Sequence, residues 1–385
     1  MSDSLNSDNP AKTPTVADFW AEILDQPTCW QALEIYYQQN PPSGLAFTPQ
    51  RLVCFGEGSS LHALRMATPF LQQAFGCTVV CLQPHEVVET LTLSPHIPTL
   101  WIAASQSGKT HSIVSVLNAI SQSPWVSSNA HCWVAFTNEP TSPVAQHCLL
   151  TQSLPVLAGK EYCIPATKSV SSCCVSLILW ANALKAKKNN LNQAIQNTTH
   201  WLQSNNQPSL THSFLTTASS TPLNPPSTPG PAVLIGAAQW QPLLDEIALK
   251  WTETRSQPVL VYETEAFHHG PRALAASTTP LDFWLWGDFN DPALFSTAQW
   301  LNTHAHPTHV LRGIHCHPAD SLLNEIALPS RFHTLSLPFH HPLEGLLKSL
   351  LLAQRFTATY CTLEHHSINH SLLQKFLPPT GPLIP

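Results

Sequence analysis

The sequence predicts an α/β protein built from two tandem domains, each a doubly wound, three-layer (flavodoxin-like) parallel sheet with helices on both faces. Three observations carry this reading. Short apolar runs rich in Val, Ile and Leu alternate with segments of helical length, as βαβ units require. The alternation occurs twice, with a similar element order in each half. A stretch rich in Pro, Ser and Thr separates the halves. The length of 385 residues agrees: it exceeds one ordinary core and suits two.

The elements follow in chain order. Residues 1–44 are polar at first, then helical from Phe19 to Tyr37. The first domain, 45–200, opens with the strand Leu52–Phe55, which ends at Gly56. A helix follows over Leu61–Phe75, then strands at Thr78–Leu82 and Thr99–Ala104, a helix over His111–Ile120, a strand at His131–Phe136 and a helix around Thr167–Lys187. Residues 201–230 read as a linker without a core, because Pro222, Pro225, Pro226 and Pro229 crowd there. The second domain, 231–366, has strands at Ala232–Ile235, Val259–Tyr262, Leu281–Trp286 and His309–Leu311. Its helices are Gln241–Arg255 and Leu343–Glu364. Residues 367–385 form a tail.

Composition limits the partners. Hydrophobic residues make up 43%, enough for a core, while charged residues make up only 10% and the net charge is −6. An acidic balance without a basic face argues against nucleic acid. No Lys/Arg run suggests an anionic membrane surface, and the apolar stretch Ser169–Leu184 is short for a span and reads as a buried helix. The start lacks the pattern of a secretory signal, so a cytoplasmic location is expected. The 11 cysteines lack paired CxxC spacing and read as small buried residues in a reducing compartment.

Open parallel sheets bind ligands beyond the carboxyl ends of their strands. Two loops there, Gly56-Glu57-Gly58-Ser59-Ser60 and Ser105-Gln106-Ser107-Gly108-Lys109-Thr110, each follow a strand and open a helix. Free N–H groups at a helix start, with hydroxyls and a close-approach glycine, make a phosphate cradle. An ordinary Ser-rich helix cap explains the same residues equally well. In helix 241–255, Glu246, Lys250 and Glu253 share a face at i, i+4 and i+7. Taken alone they are most simply a solvated Glu–Lys face.

Together these segments resemble a known family. Ser105–Thr110 resembles the S-[QE]-S-G-x-T signature of sugar isomerase (SIS) domains, and GEGSS resembles the matching first loop. Ala158–Ser169 (AGKEYCIPATKS) is similar to the A-G-x-E-x-x-V-x-[SA]-T-K-[AS] stretch of double-SIS enzymes. Glu246–Glu253 resembles their E-x-x-x-K-x-x-E helix, and Phe267–Pro271 their [EF]-x-H-G-P loop. The resemblance covers roughly residues 45–376. It points to SIS-type glucosamine-6-phosphate deaminases and to the isomerase half of glucosamine–fructose-6-phosphate aminotransferase.

The resemblance implies site roles residue by residue. Glu253 would be the base that moves a proton between C1 and C2, and His269 the ring opener. Lys250 would hold hydroxyls or tune Glu253. Lys375, in a tail that departs from the family pattern, would reach the substrate carbonyl. Ser60, Ser105, Gln106, Ser107 and Thr110 would hold the phosphate, with Gly58, Ser59, Glu161, Ile164, Ala166 and Thr167 lining the sugar. The implied partner is a small sugar phosphate, in a homodimer with shared active sites, with no cofactor.

The aminotransferases carry a glutaminase domain whose cysteine follows the initiator Met. Here Ser2 stands there and about 45 residues precede the first sheet, so glutamine-dependent synthesis is not expected. The expected reaction is glucosamine 6-phosphate to fructose 6-phosphate plus ammonia. A different sugar-phosphate isomerase or deglycase, and a non-catalytic sensor, are the alternatives. The second domain lacks Ser-rich loops after its strands, so it is expected to supply chemistry and not a second phosphate site. His304, His306, His309, His315, Cys316 and His317 have metal-like spacing, but the chain uses histidine liberally (21 in all) and no metal site is expected.

Overall fold

The strand β1 (Arg51–Gly56) sets the topology of the first sheet, because its run from Leu52 to Gly56 is buried on both faces. In the computed structural model, which describes residues 14–124, 130–185, 190–217, 230–255, 257–319, 328–364 and 367–368, β1 lies between two parallel neighbours. These are β2 (Thr78–Leu82) and β3 (Thr99–Ala104). Beyond β3 come β4 (His131–Thr137) and β5 (Gln152–Pro155), giving the order β2-β1-β3-β4-β5. The second sheet contains β6 (Ala232–Gly236), β7 (Val259–Glu263), β8 (Asp282–Gly287), β9 (Val310–Pro318) and β10 (Phe332–Phe339). Its order, β7-β6-β8-β9-β10, repeats the first, and every pairing is parallel. The duplicated doubly wound architecture expected from the sequence is therefore present.

The helices of the first half are α1 (Val16–Gln39), α2 (Gly58–Phe75), α3 (Pro84–Leu93), α4 (His111–Ser121), α5 (Lys168–Leu184) and α6 (Leu191–Ser204). They are followed by α7 (Ser209–Thr217), α8 (Gln241–Arg255), α9 (Thr264–His268), α10 (Pro292–His304) and α11 (Pro342–Leu363). A reciprocal capping box starts α1, in which Thr15 and Asp18 satisfy each other's backbone N–H groups. The left-handed Gly76 stops α2. α5 is buried all round from Lys168 to Ala181, as a helix apolar on every face must be, and packs against α1 and α2. No described helix is long and apolar enough to cross a membrane.

The halves share one core. α8 packs on α2, and α11 packs on α1 and α6, so the apolar cluster runs continuously through both domains. The 201–230 segment departs from the linker expectation over part of its length. Ser209–Thr217 is a helix, with Thr211, Phe214 and Leu215 buried. The apolar spacing of Leu210, Phe214 and Leu215 explains it. Phe214 packs on Trp284 and Phe356, while its carbonyl accepts a 3.0 Å bond from Arg312 Nη1. Arg312 in turn bonds Asp282 at 3.0 Å, and Tyr360 Oη donates to the other oxygen of Asp282 at 2.9 Å. A buried ion pair needs such extra hydrogen bonds to persist away from water. The proline-dense residues 218–229, like most of the tail at 369–385, lie outside the described residues.

Candidate functional site

The sheet order reverses between β1 and β3, and both motif loops emerge at that point. Gly56 ends β1, and Gly58 opens α2 with φ of 51°, its Cα facing the Leu249 side chain of α8. The loop after β3 is tightly built. Ser105 is buried, its N–H donating to Phe136 O and its hydroxyl bonded to Thr110 Oγ1 at 2.8 Å. Thr110 is therefore turned toward Ser105 and does not cap α4 with its side chain, which leaves that helix start open. Gly108 has φ of 60°, and a Cβ there would fall 1.9 Å from Ser142 Oγ, so only glycine fits.

The region 158–169 closes over these loops. Asn138, following β4, accepts from Ala158 N at 2.8 Å and donates to Gly159 O at 2.6 Å, while its own N–H donates to Gln106 O. Glu161 caps the start of α5: its Oε1 accepts from the Thr167 N–H and hydroxyl, both at 2.8 Å, and its other oxygen from Ser169 Oγ. A carboxylate at a helix start is favoured by the helix dipole. Glu22 of α1 supports the same turn by accepting from Tyr162 N at 2.6 Å.

Between these segments lies a cavity of about 220 Å³. Of the residues singled out from the sequence, Ser59, Ser60, Gln106, Glu161, Ile164 and Ala166 line it. The wall also includes Glu57, Cys163 and Ser169, which lie within the motif segments but were not singled out, and Val156, Val170 and Cys173, which lie outside them. Ser105, Ser107, Thr110, Gly58 and Thr167 are not part of its wall. Ser105 and Thr110 brace the loop behind Gln106, Ser107 is exposed, and Thr167 is turned to Glu161. Glu57 accepts a short hydrogen bond from Ser112 Oγ of α4, which fixes the two loops to each other.

Glu246, Lys250 and Glu253 of α8 are not part of that wall; Ser59, which is, connects it to Glu246. Burial excludes the solvated-face reading of this helix: Glu246 and Lys250 are 1% and 3% exposed. Lys250 Nζ lies 2.8 Å from Glu253 Oε2 and 3.6 Å from Glu246 Oε1. Burial opposes the charge on Lys250, but the two carboxylates outweigh it and hold its pKa above the ordinary lysine value. Burial also pushes the Glu253 carboxyl above the ordinary glutamate range, with Lys250 partly offsetting the rise. Ser59 joins site to helix: it lines the cavity, and its hydroxyl donates to Glu246 at 3.0 Å. His62, not marked by sequence, places Nδ1 2.7 Å from the other Glu246 oxygen.

His269 stands apart. It follows α9 on the exposed surface, and its described hydrogen bond is the backbone one to Ala266 O. Lys375 lies outside the described residues. At the corresponding point of the second domain the buried Trp240 packs over the end of β8: a Cβ on Gly287 would come 3.1 Å from its ring. The histidines at 304–317 are spread along α10, the loop after it, and β9, and take separate partners. Leu281 N donates to His309 Nδ1, Phe289 N donates to His315 Nδ1, and His317 Nε2 meets Ser336 Oγ.

Two tandem sheets with this order, and a cavity where the first one reverses, make a duplicated doubly wound α/β fold. No family model matches the chain, and no curated protein matches it in sequence. Solved structures do match in shape. The C-terminal domain of glucosamine-fructose-6-phosphate aminotransferase from Francisella tularensis is 14% identical with a TM-score of 0.70, over 94% of this chain and 100% of that one. Tagatose-6-phosphate ketose/aldose isomerase from Escherichia coli is 16% identical with a TM-score of 0.66, over 92% and 95%. Glucosamine-6-phosphate deaminase from Thermotoga maritima is 15% identical with a TM-score of 0.63, over 91% and 96%.

Proposed function

We propose that the chain isomerises and deaminates an amino-sugar phosphate, with glucosamine 6-phosphate as the substrate and fructose 6-phosphate and ammonia as products. One observation supports this most: Ser59 both lines the cavity of the first domain and holds the carboxylate helix of the second. A sugar held by its phosphate against Ser60, Gln106 and the open start of α4 would face Glu253. That residue would take the proton from C2 of the open-chain sugar and return it to C1. The C2 amine becomes an imine, water adds to it, and ammonia leaves. Lys250 keeps Glu253 ionised within a buried setting, as a base working near neutral pH requires. The exposed His269 suits a ring-opening role in the site of a second copy, which makes a homodimer part of the proposal. A sensor would need the phosphate loop but not this buried Glu–Lys–Glu set.

The test is release of ammonia and fructose 6-phosphate from glucosamine 6-phosphate by the purified protein, with galactosamine 6-phosphate and tagatose 6-phosphate alongside. Isomerised sugar without ammonia would replace the deaminase reading with a simple isomerase. Ser105→Ala combined with Thr110→Ala should raise KM roughly 10- to 100-fold, since hydrogen bonds that order a charged group's cradle are among the stronger ones. An unchanged KM would remove this loop from phosphate binding.

A further inference from the structure

We propose that His62 is a positioning residue for the acid–base set: by holding Glu246 from the first domain, it leaves the Lys250 ammonium to Glu253. The inference rests on the reading of Glu253 as the base. Lys250 lies between two carboxylates on its own helix, and an ammonium shared equally would serve neither well. The distances show an unequal division, 2.8 Å to Glu253 and 3.6 Å to Glu246. Glu246 is 1% exposed, so its charge needs other partners, and α2 supplies them: Ser59 Oγ at 3.0 Å and His62 Nδ1 at 2.7 Å. Glu246 as a carboxylate accepts, so Nδ1 carries the proton and donates.

Without that donor, Glu246 would draw Lys250 toward itself. Glu253, in its desolvated position, would then lose its nearest cation and hold its proton to higher pH. The groups facing this set are few. Glu246, Lys250 and Glu253 come from α8, His62 from α2 and Glu161 from the turn before α5, while the Arg65–Asp245 pair, 3.8 Å apart, flanks it on the α2–α8 seam. None of them replaces His62 on Glu246.

The experiment is a pH titration by NMR of the full-length protein labelled at the glutamate side-chain carboxyl carbons. The Glu253 resonance is the one that disappears in Glu253→Gln. Two polar variants keep the test independent of folding losses. In His62→Asn the amide nitrogen falls near the place of Nδ1, and the Glu253 midpoint should stay close to that of the native protein. In His62→Gln the donor is displaced, and the midpoint should move to higher pH. Steady-state kinetics should follow: His62→Gln lowers kcat roughly 10- to 100-fold with little change in KM and moves the acid limb of the profile upward, while His62→Asn recovers most of the loss. Equal midpoints in the two variants, or a shift downward in His62→Gln, would overturn the proposal. The titration uses no substrate, so a protein that turns over none of the sugars tried, yet shows the shift, would sink the substrate assignment and leave the role of His62 standing.

Discussion

Glu253→Gln should abolish ammonia and fructose 6-phosphate release while leaving the protein folded and still stabilised thermally by glucosamine 6-phosphate. A positioned general base contributes about 10²- to 10⁴-fold, and an amide of the same shape cannot take a proton. On the proposed reading binding should survive, because the phosphate would be held by the first domain and not by Glu253. The native enzyme should also show a defined acid limb. The base acts only when deprotonated, and burial raises the Glu253 pKa above the ordinary glutamate value. Activity should therefore fall as pH drops through a midpoint above that value. Full activity in Glu253→Gln, or a flat profile down to the normal glutamate range, would remove Glu253 as the base.

Gly108→Ala should disable the loop proposed to hold phosphate by distortion instead of by removing a contact. The new methyl would have to occupy space 1.9 Å from Ser142 Oγ and 2.4 Å from Ser142 Cβ, at a backbone φ of 60°. The left-handed backbone costs an alanine about 1–2 kcal/mol. Overpacking against a fixed neighbour adds about 1–3 kcal/mol. Expected outcomes are a lower Tm and loss of stabilisation by phosphorylated sugars. Ser142→Gly in the same chain should restore part of both, because the two effects share one space and so should not add. An unchanged Tm in Gly108→Ala would show that the loop has another conformation available.

How much of this was legible in the sequence depended on what each element buries. β1, β3 and β4 are nearly all buried and stand out as apolar runs. β5 is four residues at an edge with only Leu154 buried, too little signal for a period to show. β10 alternates from His333 to Phe339, but Pro338 within it argues against a strand. α3 carried a readable start, Gln83 and Glu86 forming a capping box with Pro84 at the first position. The site followed the same logic. Glu246, Lys250 and Glu253 are visible because helical spacing puts them on one face. The reason they are buried was not visible, because the partner His62 lies 184 residues away along the chain. Glu161 was marked by its motif and lines the cavity; that its oxygens also cap α5, through Thr167 and Ser169, residue types alone do not show.

The continuous core makes the two copies interdependent. Two copies of one strand order stand in one chain, and each could in principle have closed a core of its own. Here Trp240 packs over the end of β8 in the second copy, and a wall residue of the first cavity, Ser59, is bonded to Glu246 of a helix from that second copy. α11, the last described helix, rests on α1, the first, so the described elements are tied together across both units. Removing either copy would expose the apolar face it covers on the other.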